Sequence, residues 1–230
     1  MTNKNFFFYD IYERHRKVGQ LINQGESVLD VGGQLNALSQ FCRAEKIIVA
    51  NLENSQEKSN VAITGGKLPF KNESFDVVCA IDVLEHIEQK KRKDFIKNLL
   101  KIAKKRIILS FPVGTSKHLK YEAGLSKTLE ARGIDVAYLK EHINYKLPSV
   151  KEIDDICKGL NYFVSYSGAL PINSVLFKLF LFDPRIKFIR KLVYLFKLLF
   201  NLASNNIFFA ILSQKPYTEY VNRAYLVIKK

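Results

Sequence analysis

Short apolar runs rich in β-branched residues alternate along the first half of the chain with longer stretches whose apolar positions recur every three or four residues. The runs are 28–31 (VLDV), 46–52 (KIIVANL), 60–64 (NVAIT), 74–81 (SFDVVCAI) and 106–111 (RIILSF). Bounded by glycine, proline or polar turn residues, they read as buried strands. Phe8, Ile11, Tyr12, His15, Val18 and Ile22 share one face of a helix predicted within residues 1–24, and Phe95, Ile96, Leu99, Leu100 and Ile102 mark another over 91–103. Leu35, Leu38 and Phe41 predict a third directly after the first strand. Strands alternating with helices, and apolar on both faces, predict a parallel sheet covered on both sides and joined by right-handed crossovers.

The centre of this pattern is ESVLDVGGQLN, residues 26–36. A strand that ends in Gly32-Gly33 lets the backbone approach a ligand where a Cβ would clash, and Asp30 sets a carboxylate beside the crevice. The predicted helix over 35–41 would aim free N–H groups at anything bound there. The same stretch is also compatible with an ordinary strand-to-helix turn. Glu53, at the end of the second run, stands where such folds place a carboxylate for a ribose diol.

Later in the chain, 161–167 (NYFVSYS) and 217–228 (YTEYVNRAYLVI) read as a closing strand pair, and residues 174–212 interrupt them. Asp183-Pro184 predicts a helix start there. Lys187, Arg190, Lys191, Tyr194, Lys197, Asn201 and Ser204 then fall on one face, with Phe188, Ile189, Leu192, Leu195, Phe196, Leu199 and Phe200 on the other. Two readings stay open: a lid that packs its apolar face on the domain, or a segment lying on a membrane surface. Lys197 and the asparagines break any apolar run of ~20 residues, so a spanning helix is not expected.

Composition refines this picture. The chain has 230 residues and a formal net charge of +14. That charge is uneven: −2 over residues 1–85, +9 over 86–140, −1 over 141–170 and +8 over 171–230. The cofactor half is thus near neutral, and the later segments favour an anionic partner, a lipid surface or nucleic acid. The Lys90–Lys93 cluster is expected to be a solvated helix start. Three widely spaced cysteines, Cys42, Cys79 and Cys157, suggest neither disulfides nor zinc, and no metal site is expected. The N-terminal residues do not resemble a secretory signal, so the cytoplasm is the expected compartment, with peripheral attachment at the inner face of the membrane as an extension of the surface reading.

The stretches VLDVGG (28–33), VANLE (49–53), GGKLPFKNESFDVV (65–78), IDVLEHI (81–87) and ILSFP (108–112), in this order and spacing, resemble the class I S-adenosylmethionine-dependent methyltransferases, the broad family that includes small-molecule and lipid-precursor enzymes. LKEHINYKLPS (139–149) is similar to a segment of some bacterial and archaeal members. The resemblance implies a Rossmann-like α/β fold, a seven-stranded mostly parallel sheet with helices on both faces and a helical insertion before the last strand. The methyltransferase domain would comprise 1–170 and 213–230, with 171–212 inserted. It also implies S-adenosylmethionine as cofactor, with Asp30, Gly32 and Gly33 at its methionine end, Glu53 at the ribose hydroxyls, and Thr64 and Gly65 near the adenine. Thr64 replaces the family's usual aspartate, and Gln34 and Asn36 occupy positions often glycine; Asn36 at least tolerates positive φ. The loop from Asp82 to His86 would flank the reactive methyl group, with Asp82 on the cofactor side. His86 and His142 are the candidate bases or orienting groups, unless they only pack the next helix and a surface turn. His118 is expected to be exposed. The acceptor would be small or lipid-linked, a glycan precursor or isoprenoid. The rival readings are an RNA methyltransferase, favoured by charge but without a recognisable RNA module, and a catalytically silent scaffold.

Overall fold

A computed structural model of the chain describes residues 4–53, 55, 58–64, 67–131, 133 and 136–230. Seven strands form one sheet: β1 (Ser27–Val31), β2 (Lys46–Leu52), β3 (Val61–Ile63), β4 (Phe75–Ile81), β5 (Ala103–Pro112), β6 (Asn161–Ser167) and β7 (Arg223–Lys229). Their order is β3-β2-β1-β4-β5-β7-β6, all pairs parallel except β7, which runs antiparallel to both β5 and β6. Neighbouring residues on each central strand go to opposite layers. Leu29, Val78 and Ile107 face the core shared with Ile96 and Leu99, whereas Val28, Val77 and Ile108 meet Val18 and Ile22. Double-sided burial is why these strands read as continuous apolar runs.

Chain order reverses between β1 and β4, so a crevice opens above their C-terminal ends. Around it stand α1 (Tyr9–Gln20), α2 (Gln89–Ile102), α3 (Ser116–Glu130) and α4 (Ala137–Tyr145), while α5 (Val150–Cys157) packs Ile153 and Cys157 into the core of the sheet. The Thr115 hydroxyl caps α3 by accepting from the His118 amide, and Ser149 caps α5 by accepting from that of Glu152.

The helix expected over 35–41 is only a single 3-10 turn, Leu38–Gln40. Asn36 takes φ 64, a left-handed conformation that stops regular helix before it. The crevice is therefore edged by the glycine turn rather than by a helix N-terminus, and the Gly32 amide donates to the Ala50 carbonyl at 2.8 Å.

The insertion between β6 and β7 folds as α6 (Leu170–Leu181) and α7 (Lys187–Leu212). Asp183 is not its cap; α7 begins after Ile186 without a side-chain cap. Its faces are reversed relative to a simple lid. Asn201, Asn205, Phe209 and Leu212 turn inward, with the Asn201 and Asn205 amides donating to the carbonyls of Phe6 and Phe7. The Phe/Leu face stays in solvent, with Phe188 at 70% exposure and Leu195, Phe196 and Leu199 all above half. Among the described residues α7 is the one helix long and apolar enough to cross a membrane.

The basic cluster at the start of α2 is not uniformly solvated. Arg92 is 0% exposed and donates to both carboxylate oxygens of Glu152 at 3.0 and 2.9 Å. It also reaches the carbonyls of Leu84, Ile87, Tyr145 and Lys146.

Candidate active site

The crevice divides into two adjoining cavities. The first, about 720 Å³, runs along the ends of β1, β2 and β4 and is lined by Val31, Gly32, Asn51, Leu52, Asp82 and His86 among others. Gly32 has φ +77, and a Cβ there would lie 2.4 Å from the Val83 side chain, so glycine is required for both conformation and space. Beneath it Asp30 is fully buried, and neither carboxylate oxygen has a hydrogen-bond partner among the described residues. Burial pushes its carboxyl up to about 7.

Asn51, which the sequence did not single out, is buried and donates to the Gly33 carbonyl at 2.9 Å, tying the glycine turn to β2. A polar residue inside an otherwise apolar strand run was its only signal. At the outer end Thr64 donates to the Glu53 carboxylate at 3.3 Å, so these two candidates do meet. Gly65 lies outside the described residues.

Asp82 and His86 line both cavities. Asp82 sits at φ 56 directly after β4, and its two oxygens accept from Arg14 and Arg223. Burial alone would raise its carboxyl, but the two guanidiniums outweigh it and hold the group below the usual aspartate range. Asp10 completes the network with Arg14 at 3.1 Å and Arg223 at 3.2 Å. Asp82 thus presents itself as part of an ion-paired wall between cavities, with no oxygen free of an arginine.

The second cavity, about 340 Å³, is enclosed by α1, α3, α4 and α6. Phe8, Tyr121, Tyr138, Phe177 and Phe180 give it aromatic walls, and Glu85, His86 and His142 also line it. The two candidate histidines, from separate segments, come together with ring centroids 5.0 Å apart. His86 Nδ1 meets Glu141 at 2.6 Å and His142 Nδ1 meets Glu122 at 3.0 Å. His142 is buried, not part of a surface turn. His118, expected to be exposed, is buried as well, its Nδ1 against the Val113 carbonyl at 3.0 Å where α3 leaves β5. Burial lowers its pKa.

These residues suit a cofactor with a charged amino-acid end and a ribose. A buried carboxylate lacking protein donors lies beneath a glycine turn, and an exposed carboxylate ends the next strand.

Residues 31–111 match the methyltransferase-domain family. No curated protein matches the chain. Among solved structures, a SAM-dependent methyltransferase from Archaeoglobus fulgidus aligns over 96% of this chain and 94% of its own, at 13% identity and TM-score 0.56. Phosphoethanolamine N-methyltransferase 2 of Haemonchus contortus, in complex with phosphomonomethylethanolamine and S-adenosylhomocysteine, aligns over 96% of this chain and 52% of its own, at 14% identity and TM-score 0.53. A SAM-dependent methyltransferase from Thermotoga maritima covers 99% and 92%, at 14% identity and TM-score 0.52. At such identities the structures speak for the fold: residues 31–111 match a methyltransferase domain, and the chain as a whole is similar in fold to S-adenosylmethionine-dependent methyltransferases.

Proposed function

We propose that the enzyme methylates a small amphipathic or lipid-linked acceptor, drawn into the second cavity from an anionic membrane surface. The observation that carries this reading is the division of the insertion: α6 walls the acceptor cavity with Phe177 and Phe180, while α7 directly outside it keeps a Phe/Leu face in solvent. A helix held by its asparagine edge, with apolar side chains outward, fits an element lying in a lipid interface. Its docking to residues 6 and 7 favours lying on the membrane over crossing it.

In this reading Asp30, Gly32 and Gly33 take the methionine end of the cofactor, and Glu53 and Thr64 the ribose and adenine. The bound cofactor supplies an electrophilic methyl group on a sulfonium. His86 and His142 orient the acceptor or accept its proton, and the Asp82 wall keeps the two cavities in register. Since transfer to a nucleophile depends mainly on alignment, a rigid wall shared by the cavities is the central demand.

Of the four basic residues on the predicted polar face, Lys197 is committed to the carbonyls of Phe180 and Phe182 and Arg190 to Asp183. Lys187 and Lys191 are left to meet lipid head groups, each adding ~1 kcal/mol near an anionic surface. Vesicle flotation tests this. The wild type should float with anionic vesicles at low salt, and Lys187→Gln/Lys191→Gln and Phe188→Ser/Leu192→Ser/Leu195→Ser should each float much less. A wild type that stays with the soluble fraction would return the acceptor to the soluble small-molecule class.

A further inference from the structure

Glu85, His86 and His142, which line the acceptor cavity, each offer one ligand atom, and those atoms lie within 4.8 Å of one another. The turn Leu84–His86 supplies two of them and α4 the third. Three features distinguish this group from an ordinary polar cluster. Glu85 Oε2 is buried without a partner among the described residues, in a residue only 1% exposed. His142 Nε2 is likewise buried and unpartnered. Both imidazoles have Nδ1 engaged by a carboxylate, His86 by Glu141 and His142 by Glu122, which leaves Nε2 of each ring. A carboxylate behind each histidine is the arrangement that orients imidazoles toward a metal ion and raises their basicity.

We propose that Glu85, His86 and His142 bind a divalent cation that holds an acceptor hydroxyl for methylation. Two nitrogens and one carboxylate suit Zn²⁺, Mn²⁺, Fe²⁺ or Co²⁺ better than Mg²⁺, which prefers oxygen ligands. Donors ~2.1 Å from one ion stand about 3–4 Å apart, so small side-chain rotations close the site. Three protein ligands leave positions open, and all three residues line the acceptor cavity. Two neighbouring oxygens of one acceptor, as in a diol or a hydroxy acid, would fill them. A bound cation lowers the pKa of the hydroxyl. The acceptor oxygen releases its proton to solvent and forms the O–CH₃ bond, while the S–CH₃ bond breaks with its electron pair passing to sulfur. The role of the ion rests on the methyl-transfer reading; the ion site itself does not.

The test uses untagged full-length protein, stripped with chelator and titrated with Mn²⁺, Zn²⁺ or Co²⁺ by calorimetry, with the visible spectrum of Co²⁺ reporting imidazole ligation. One ion per chain should bind. Glu85→Gln and His142→Ala should abolish saturable binding, and Glu122→Gln, which leaves all three ligands in place, should weaken it about 10–100-fold. Binding of S-adenosylhomocysteine is measured on every sample. Proteins that bind it normally yet take up no ion, or take it up equally in the Glu85 and His142 variants, would overturn the site. A wild type that takes up the ion but not S-adenosylhomocysteine would keep the site and overturn the methyltransferase role.

Discussion

The Asp30 carboxylate lies directly against Gly33: a Cβ built on Gly33 would stand 2.0 Å from Asp30 Oδ2 and 2.3 Å from its Cγ. The carboxylate is fully buried and enclosed by β1 and the glycine turn, so it has little room to swing away. Gly33→Ala should therefore displace Asp30 or the turn, at a cost of about 1–3 kcal/mol typical of overpacking. Chemical denaturation should show this loss, and calorimetry a large fall in S-adenosylhomocysteine affinity. Adding Asp30→Ala to Gly33→Ala should recover much of the stability but none of the affinity. If the double variant is no more stable than the single one, the clash lies elsewhere.

A second expectation follows from the charge state of Asp30. Its carboxyl is raised to about 7 in the folded protein, against an ordinary value near 4, because burial disfavours the anion. Glu13 is raised to about 7 as well, again first by burial. For such groups the folded state holds the proton longer than the unfolded state, so their contribution to stability is complete below pH ~4 and disappears as pH rises through 7. The contribution of these two carboxyls should thus fall between pH 5 and 7.5, and it is read as the difference between ligand-free wild type and Asp30→Asn/Glu13→Gln, because buried His15 and His118, whose pKa values are lowered, act in the opposite sense. A bound ammonium group would favour ionised Asp30, so cofactor affinity should increase over the same window and level off above pH 7, with proton release on binding. Asp30→Asn should flatten the affinity profile. Calorimetry in buffers of different ionisation enthalpy measures both; a pH-independent affinity in the wild type would remove Asp30 from the cofactor's charged end.

Much of this was legible in the sequence, because parallel strands buried on both faces leave unbroken apolar runs. Residues 46–52 and 161–167 coincide with β2 and β6, and Asn36 takes the positive φ that its side chain tolerates. The methyltransferase motifs along 28–112 marked the crevice for the same reason, since strand ends and glycine turns are local features. What escaped depends on partners distant in sequence. Leu35, Leu38 and Phe41 have helical spacing, but a left-handed residue beside them permits only one 3-10 turn. Asn201 and Ser204 looked like a solvent face, but the Phe6 carbonyl supplies a partner for Asn201 and the Phe7 carbonyl one for Asn205. His118, on a lysine-flanked segment, is buried because Val113 and the α3 cap fold over it. Neither the pairing of His86 with Glu141 nor that of His142 with Glu122 could be read from periodicity, since each bridges separate elements.

The same limit hid Arg92, which sits in a run of lysines and reads as one more solvated cation. Its guanidinium joins three elements. Nε donates to the Leu84 and Ile87 carbonyls on either side of Glu85-His86, Nη2 to the Tyr145 and Lys146 carbonyls at the end of the helix bearing His142, and Nη1 to Glu152 of α5. Arg92 therefore fixes the two histidine segments relative to each other without touching either cavity. Only a planar fork can serve all these acceptors together; an ammonium is a compact donor that would hold Glu152 and abandon most of the carbonyls. Arg92→Met would leave Glu152 and four carbonyls without the Arg92 donor, costing about 3–5 kcal/mol as for other broken buried pairs, and should yield little folded protein. Arg92→Lys is the more useful variant, expected to lose about 2–3 kcal/mol for the unmade bonds. Below its melting temperature its S-adenosylhomocysteine affinity should stay close to wild type, because β1 and the glycine turn do not depend on Arg92. Turnover should fall at least tenfold, because His86 and His142 no longer hold a fixed separation. Turnover equal to wild type in the folded Arg92→Lys protein would show that the two histidine segments need no clamp, and would reduce Arg92 to a contributor to stability alone.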